Sequence, residues 1–112
     1  MIKIGNNSTG INNGASSVTI SHTVGNNSDR ILVVGVQARD VNAIKRSVSG
    51  ITYNGVALTQ IRGQEQGSCR VELWYLLAPS VGTFNVVVTM NGTPVSLSAG
   101  VTDIYDAMQQ TP

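Results

Sequence analysis

Six carboxylates, one histidine and one cysteine carry the most specific chemistry available to this chain. Two carboxyl groups facing each other across a cleft would hydrolyse a glycosidic bond. Asp103 and Asp106 are close in sequence, but they lie near the chain end and read as surface charge. Asp29 reads as a turn residue ahead of a strand-edge cation, Arg30. A serine hydrolase would need a Ser–His pair built on His22, the only histidine. That residue sits beside Ser21 and Thr23 at a strand end, where a hydrogen-bonded boundary histidine is expected. Cys69 has no second cysteine to pair with and no histidine at short spacing, so it reads as a half-buried strand residue. Asp, Asn and backbone oxygens abound in the loops, but no loop has the dense Asp-x-Asp spacing of a calcium site. No catalytic, cofactor-binding or metal-ligating set is expected, and the chain reads as non-enzymatic.

The remaining chemistry is aromatic and polar. Trp74, Tyr53, Tyr75 and Tyr105 are nearly all the aromatic residues and form the candidate ligand or interface set. Exposed together they would make a platform for sugar rings, and packed they would be core or interface. The sequons at Asn6, Asn7, Asn26 and Asn91 matter only in a glycosylating host. One basic cluster, Arg39, Lys45 and Arg46, is interrupted by Asp40 and reads as a solvated loop. With a formal net charge of +1 there is no electrostatic footprint for nucleic acid.

The elements that must position these residues are strands. The chain has the length of one domain spanning residues 1–112. Hydrophobic residues make up 41 % and charged residues only 12 %, about half the usual share. Polarity comes instead from Asn, Ser, Thr, Gln and Gly, as suits a surface module or a packed assembly. The longest apolar run, Ile31 to Val36, is too short to span a bilayer, and no signal peptide is visible. Val18 to His22 alternates apolar and polar residues, and Arg30 to Arg39 is nearly continuous in hydrophobicity, the mark of a central strand. Val48 to Tyr53 and Val56 to Ile61 flank Asn54-Gly55, the strongest short-range hairpin signal. Arg62 to Ser68 reads as a loop and Arg70 to Leu77 as a strand. Either Val71, Leu73 and Tyr75 or Glu72, Trp74 and Leu76 face its core side. Thr83 to Met90 and Val95 to about Tyr105 complete the set, with Gly100 as a candidate bulge. The repeated Asn-Asn-Ser at Asn6 and Asn26 reads as turn chemistry, and Asp103 to Gln110 could form one helical turn. Seven or eight such runs spell an all-β, antiparallel two-sheet sandwich of jelly-roll or immunoglobulin-like type.

Several runs carry a resemblance: DRILVVGV from Asp29, SGITYNGVALT from Ser49, VELWYLLAP from Val71 and GTFNVVVT from Gly82. They resemble a β-sandwich module of bacterial surface proteins and phage structural proteins. The resemblance implies a fold and a structural role, and it brings no catalytic residues. Such modules continue past the segment resembling Gly100 to Pro112, so the last strand is expected to leave a sheet edge without its neighbour. An open edge pairs readily with another chain. The expectation is therefore a structural or interaction module of a virion, filament or cell surface, outside the cell or on the virion. It would self-associate as a homo-oligomer, or by strand exchange, through sheet edges, or else bind other structural proteins. A carbohydrate-binding module using exposed Trp74 or tyrosines is the alternative. No nucleic acid, membrane span or cofactor is expected.

Overall fold

The computed structural model describes residues 2–41 and 46–110. Nine strands form two antiparallel sheets. They are β1 (Lys3–Ile11), β2 (Ser17–Val24), β3 (Ile31–Arg39), β4 (Val48–Tyr53), β5 (Val56–Ala57), β6 (Thr59–Gln66), β7 (Cys69–Leu77), β8 (Gly82–Met90) and β9 (Ser96–Tyr105). One sheet has the order β1-β9-β3-β7-β6 and the other β2-β8-β4-β5. The sandwich expected from the alternation is therefore present.

The period-two pattern fixes which side chains meet between the sheets. Val18, Ile20 and Val24 of β2, and Val86, Val88 and Met90 of β8, point inward from the four-stranded sheet. Leu32, Val34, Val36 and Ala38 of β3, and Leu97, Ala99 and Val101 of β9, point inward from the five-stranded sheet. On β7 the core side belongs to Glu72 and Trp74, while Val71 and Leu73 face out.

The Asn54-Gly55 hairpin forms as expected. Both turn residues have positive φ, 51° and 75°, and Tyr53 pairs with Val56. The run after it is not one strand. β5 lasts two residues, then Leu58 turns into the core while its N–H donates to the Ile51 carbonyl at 2.8 Å. The chain thereby crosses to the other sheet and continues as β6. That strand runs through Arg62 to Gln66, which the Gly and Gln content had marked as loop. Gln66 pairs with Cys69 across a two-residue Gly67-Ser68 turn, with Gly67 at φ 60°. A Gly-Ser pair between two strands is itself a hairpin signal.

β1 is the strand that the composition conceals. Its sequence, KIGNNSTGI, is poor in strand formers, and it makes the count nine instead of seven or eight. Asn6 lies within this strand and not in a turn. β1 pairs with β9 from Lys3↔Tyr105 to Ile11↔Ser98, while β3 occupies the other side of β9. The last long run is therefore interior, and the open edge expected there is filled. The bulge falls between Ile4 and Asn7 of β1, whereas Gly100 pairs regularly on both sides. The seam between β1 and β2 is stitched by side chains. Asn6 Nδ2 donates to the Thr23 carbonyl and Asn12 Nδ2 to the Ser17 carbonyl, each at 2.8 Å. From Asp106 to Gln110 the expected helical turn does not form. Asp106 and Ala107 donate their N–H groups to Ser28 and Asp29 carbonyls instead.

Close approach of β1 to the opposite sheet depends on Gly10. A Cβ there would lie 2.7 Å from Ile20 Cγ1 and 3.2 Å from Val18 Cγ2. Gly10→Val is expected to destabilise the fold by about 1–3 kcal/mol through overpacking. Urea unfolding checks this, and an unchanged midpoint would mean that β1 does not sit against Ile20.

Candidate functional site

Three residues far apart in sequence meet between the sheets at the β1/β2 side. His22 is in phase with Ile20 and Val24, so the alternation of β2 drives it inward, and it is fully buried. Asp103 is in phase with Ala99 and Val101 on β9 and is equally buried. Ser8 comes from β1. His22 Nε2 lies 2.8 Å from Asp103 Oδ1, and Ser8 Oγ lies 2.8 Å from His22 Nδ1. Asp103 Oδ1 also accepts the Asn6 N–H at 3.0 Å, which the bulge in β1 turns toward it. A Cβ on Gly5 would collide with the same carboxylate, so glycine at that bulge lets the backbone close over it. With Nε2–H donating to Asp103, Nδ1 is free to accept the Ser8 hydroxyl proton, a tautomer assigned from the network.

A nucleophile, a base and an orienting carboxylate in hydrogen-bonded sequence are the parts of an acyl-transfer site. Such a site also needs room for a substrate at the serine and donors for the oxyanion. Here the imidazole side chain is 0 % exposed and the carboxylate 1 %. The serine hydroxyl is turned toward that buried ring. Neither His22 at a strand boundary nor Asp103 as surface charge agrees with this arrangement. Asp106 is the exposed member of that acidic pair and lies 3.5 Å from Lys3 Nζ. The trio clasps β1 and β9 to β2 across the sandwich.

A second buried carboxylate, missed in the sequence, organises the other half. Glu72 Oε1 accepts the Trp74 indole N–H at 2.9 Å and the Gln60 amide at 3.0 Å. Its Oε2 accepts the Val48 N–H and Arg70 Nε–H, both at 2.8 Å. Arg70 also donates from Nη1 to Glu65 at 2.6 Å. Glu72 thus joins β6 and β7 to β4 and caps an N–H on β4. At the loop after β3, Arg46 donates to Asp40 at 2.6 Å and Val41 N–H donates at 2.9 Å. The Arg46 hydrogen bond foremost, then Val41, holds the Asp40 carboxyl below its ordinary value. Of the basic cluster, Arg46 is paired, Arg39 is exposed, and Lys45 lies outside the described residues. Among the described residues no group of three or more His, Cys, Asp or Glu is placed to hold a metal ion. Among them, too, no helix is long and apolar enough to cross a membrane.

The four aromatic candidates do not converge. Trp74 is buried, with its N–H on Glu72. Tyr53 is fully buried, shares its hydroxyl proton between Ser80 O at 2.9 Å and Gly82 O at 3.2 Å, and meets Phe84 edge-on. Tyr75 is half-buried on the outward face of the five-stranded sheet, opposite Val33. Tyr105 is half-buried at the end of β9 with Lys3 Nζ 5.9 Å from its ring centre. Cys69 is a free, half-buried thiol at the start of β7, as expected.

The outward face of the five-stranded sheet is the broadest surface without an internal role. Its middle is three rows of five cross-strand neighbours: Ile11–Ser98–Gln37–Val71–Gln64, Thr9–Gly100–Gly35–Leu73–Arg62 and Asn7–Thr102–Val33–Tyr75–Thr59, and the row Ser96–Arg39–Cys69–Gln66 follows at one end. On these rows Arg62 and exposed Arg39 carry charge, and no residue is acidic. Gly35 and Gly100 are direct partners, and side chains are missing above them. They floor a trough of about 530 Å³ bounded by Thr9 and Ile11 on one side and Val71 on the other. Val71 and Leu73 stand beside it as a ridge, 47 % and 43 % exposed. A smaller hollow of about 190 Å³ lies beyond the ridge, against Arg62 and Gln64. Comparison with protein-family models, curated proteins and solved structures finds no match for the chain.

Removing the imidazole in His22→Ala strands a buried carboxylate with one backbone donor. The expected cost is about 3 kcal/mol or more in chemical denaturation. In the intact protein a fluorophosphonate serine probe is expected to leave Ser8 unlabelled, and stoichiometric labelling there would show an accessible nucleophile. Burial, reinforced by the nearby Asp103 charge, raises the Tyr53 hydroxyl above its ordinary value of 10.0. The unfolded chain therefore loses this proton first as pH rises. Stability is expected to be fully present below about pH 10 and to fall above it, up to the folded-state value. Tyr53→Phe should flatten that alkaline slope in denaturant titrations at several pH values, and an unchanged slope would assign it elsewhere.

Proposed function

We propose that this chain is a non-enzymatic structural or interaction module that self-associates within a larger assembly, of the virion, filament or cell-surface kind. The supporting observation is the outward face of the five-stranded sheet, which combines exposed Val71 and Leu73 with a near absence of charge. Large exposed apolar patches mark interaction sites, and depletion of charge is typical of interface centres. The buried polar clusters point the same way, because their hydrogen-bonding groups are engaged within the fold. Among the described residues no buried side-chain nitrogen or oxygen lacks a partner.

The edges refine this reading. The β1/β2 seam is closed by Asn6 and Asn12, and β4 is capped by Glu72 and Leu58. β6 is the terminal strand on the other side of the five-stranded sheet, and it carries a bulge between Gln60 and Arg62 together with Arg62 and Glu65. Bulges and charges of this kind discourage edge pairing. Association through the five-stranded sheet therefore has two routes, its face and the β6 edge. A sugar platform is not favoured, because Trp74 and Tyr53 are inside.

Light scattering coupled to size exclusion, from low to high micromolar protein, tests the proposal. A discrete oligomer whose population grows with concentration is expected. A monomer at every concentration would overturn self-association.

A further inference from the structure

We infer that the trough over Gly35 and Gly100 receives the Val71–Leu73 ridge of a second copy of this chain, so that two five-stranded sheets pack face to face about a twofold axis. This rests on the self-association proposed above and assigns it to the face and not to the β6 edge.

The first support is shape. Trough and ridge belong to adjacent strands of one face, the floor to β9 and β3 and the ridge to β7. A twofold axis lying in the interface, parallel to the strands and between β3 and β7, carries Leu73 of each copy over Gly35 and Gly100 of the other, and Val71 over Gln37 and Ser98 in the same trough. A patch of this form is complementary to itself, which an isologous interface requires. Aligned packing of two sheets at about −30° is the standard geometry for such faces.

The second support is the glycine pair. Neither Gly35 nor Gly100 has the positive φ that would demand glycine. A Cβ on Gly100 would meet nothing within 4 Å, and one on Gly35 would make only an ordinary contact with Leu73 Cδ2 at 3.6 Å. Glycine in mid-strand is less stable than alanine and often marks the close approach of another group. Within one copy no backbone φ and no close contact requires it at either position.

Charge and area agree. Facing the sheet onto itself brings no acidic group into the contact. The axis sets Arg62 of each copy near Thr9 of the other and keeps these two guanidinium groups roughly 15–20 Å apart at normal strand spacing. Arg39, at the end of β3 beside the axis, brings one cation from each copy to the rim of the contact, where it is exposed. The axis overlaps four strands, β9, β3, β7 and β6, which at about 4.8 Å apart and about 30 Å long present roughly 550–600 Å² per copy, at the low end of specific interfaces and in keeping with a concentration-dependent dimer.

The test compares wild type with Leu73→Glu, Gly100→Leu and, on the outside of the four-stranded sheet, Thr19→Arg, by light scattering from low to high micromolar. Leu73→Glu places a carboxylate beside Arg62 in the single copy and, in the dimer, forces that charged pair out of water in place of an apolar ridge. Gly100→Leu fills the trough and meets nothing within its own chain at Cβ. Retained Trp74 emission and melting temperature report that each variant folds. A wild-type dimer that persists in Thr19→Arg and weakens about tenfold or more in both other variants is expected. If the variants at positions 73 and 100 dimerise like wild type, the face is not the interface, while self-association stands and points to β6. A wild type that is monomeric throughout overturns both.

Discussion

A buried imidazole bonded to a buried carboxylate is costly unless every remaining polar atom around it is also satisfied. At the His22–Asp103 pair this requirement dictates where β1 must run. Ser8 supplies the partner for Nδ1, and the bulge at Gly5 and Asn6 delivers a backbone N–H to the carboxylate. A strand of poor intrinsic propensity is held in place because removing it would leave both groups short of a partner. The bridge also joins the first, second and last strands, which lie in different sheets. Glu72 does the equivalent at the other half, gathering donors from β4, β6 and β7.

These clusters account for the low charge of the chain. Asp40 engages Arg46, Glu65 and Glu72 engage Arg70, Asp103 engages His22, and Asp106 lies near Lys3. Most of the acidic groups therefore act within the molecule. The outward face of the five-stranded sheet is left mainly to threonine, serine, asparagine, glutamine, glycine and a few aliphatic side chains, with Tyr75, Arg39 and Arg62 among them. Charge is scarce where β3, β7 and β9 face outward, with Arg39 at one end.

Where side-chain period and turn chemistry agree, the fold is legible in the residues. Val18 to Val24, Thr83 to Met90 and the Asn54-Gly55 turn show this. The same alternation, extended strictly, would have placed His22 and Asp103 inside, since both keep step with buried aliphatic neighbours. Residue type overruled phase there, because a lone histidine and an aspartate near the chain end suggest surface. Ser8 carries no such local signal, and Glu72 keeps step with Trp74 on one of two faces between which the alternation alone does not choose. Ser8 gains its meaning from a partner 14 residues away, and Glu72 from groups on three strands. β1 was hidden because its pairing is bestowed by β9, and β6 because Gly63 and the glutamines mask a strand that begins only after Leu58 changes sheets.

The pairing of the first strand with the last has a kinetic consequence. Joining Lys3 to Tyr105 closes nearly the whole chain into one loop, and the entropy of that closure must be met before its contacts form. The β3–β7 and β6–β7 hairpin region can assemble from nearer neighbours. β1 is therefore the natural last arrival on the folding pathway. Until it docks, β9 presents a bare edge and the imidazole and carboxylate lack their outer partners. During that interval the place beside β9 is open to any strand that can match its register, so the time β1 takes to dock sets how long this edge stays exposed.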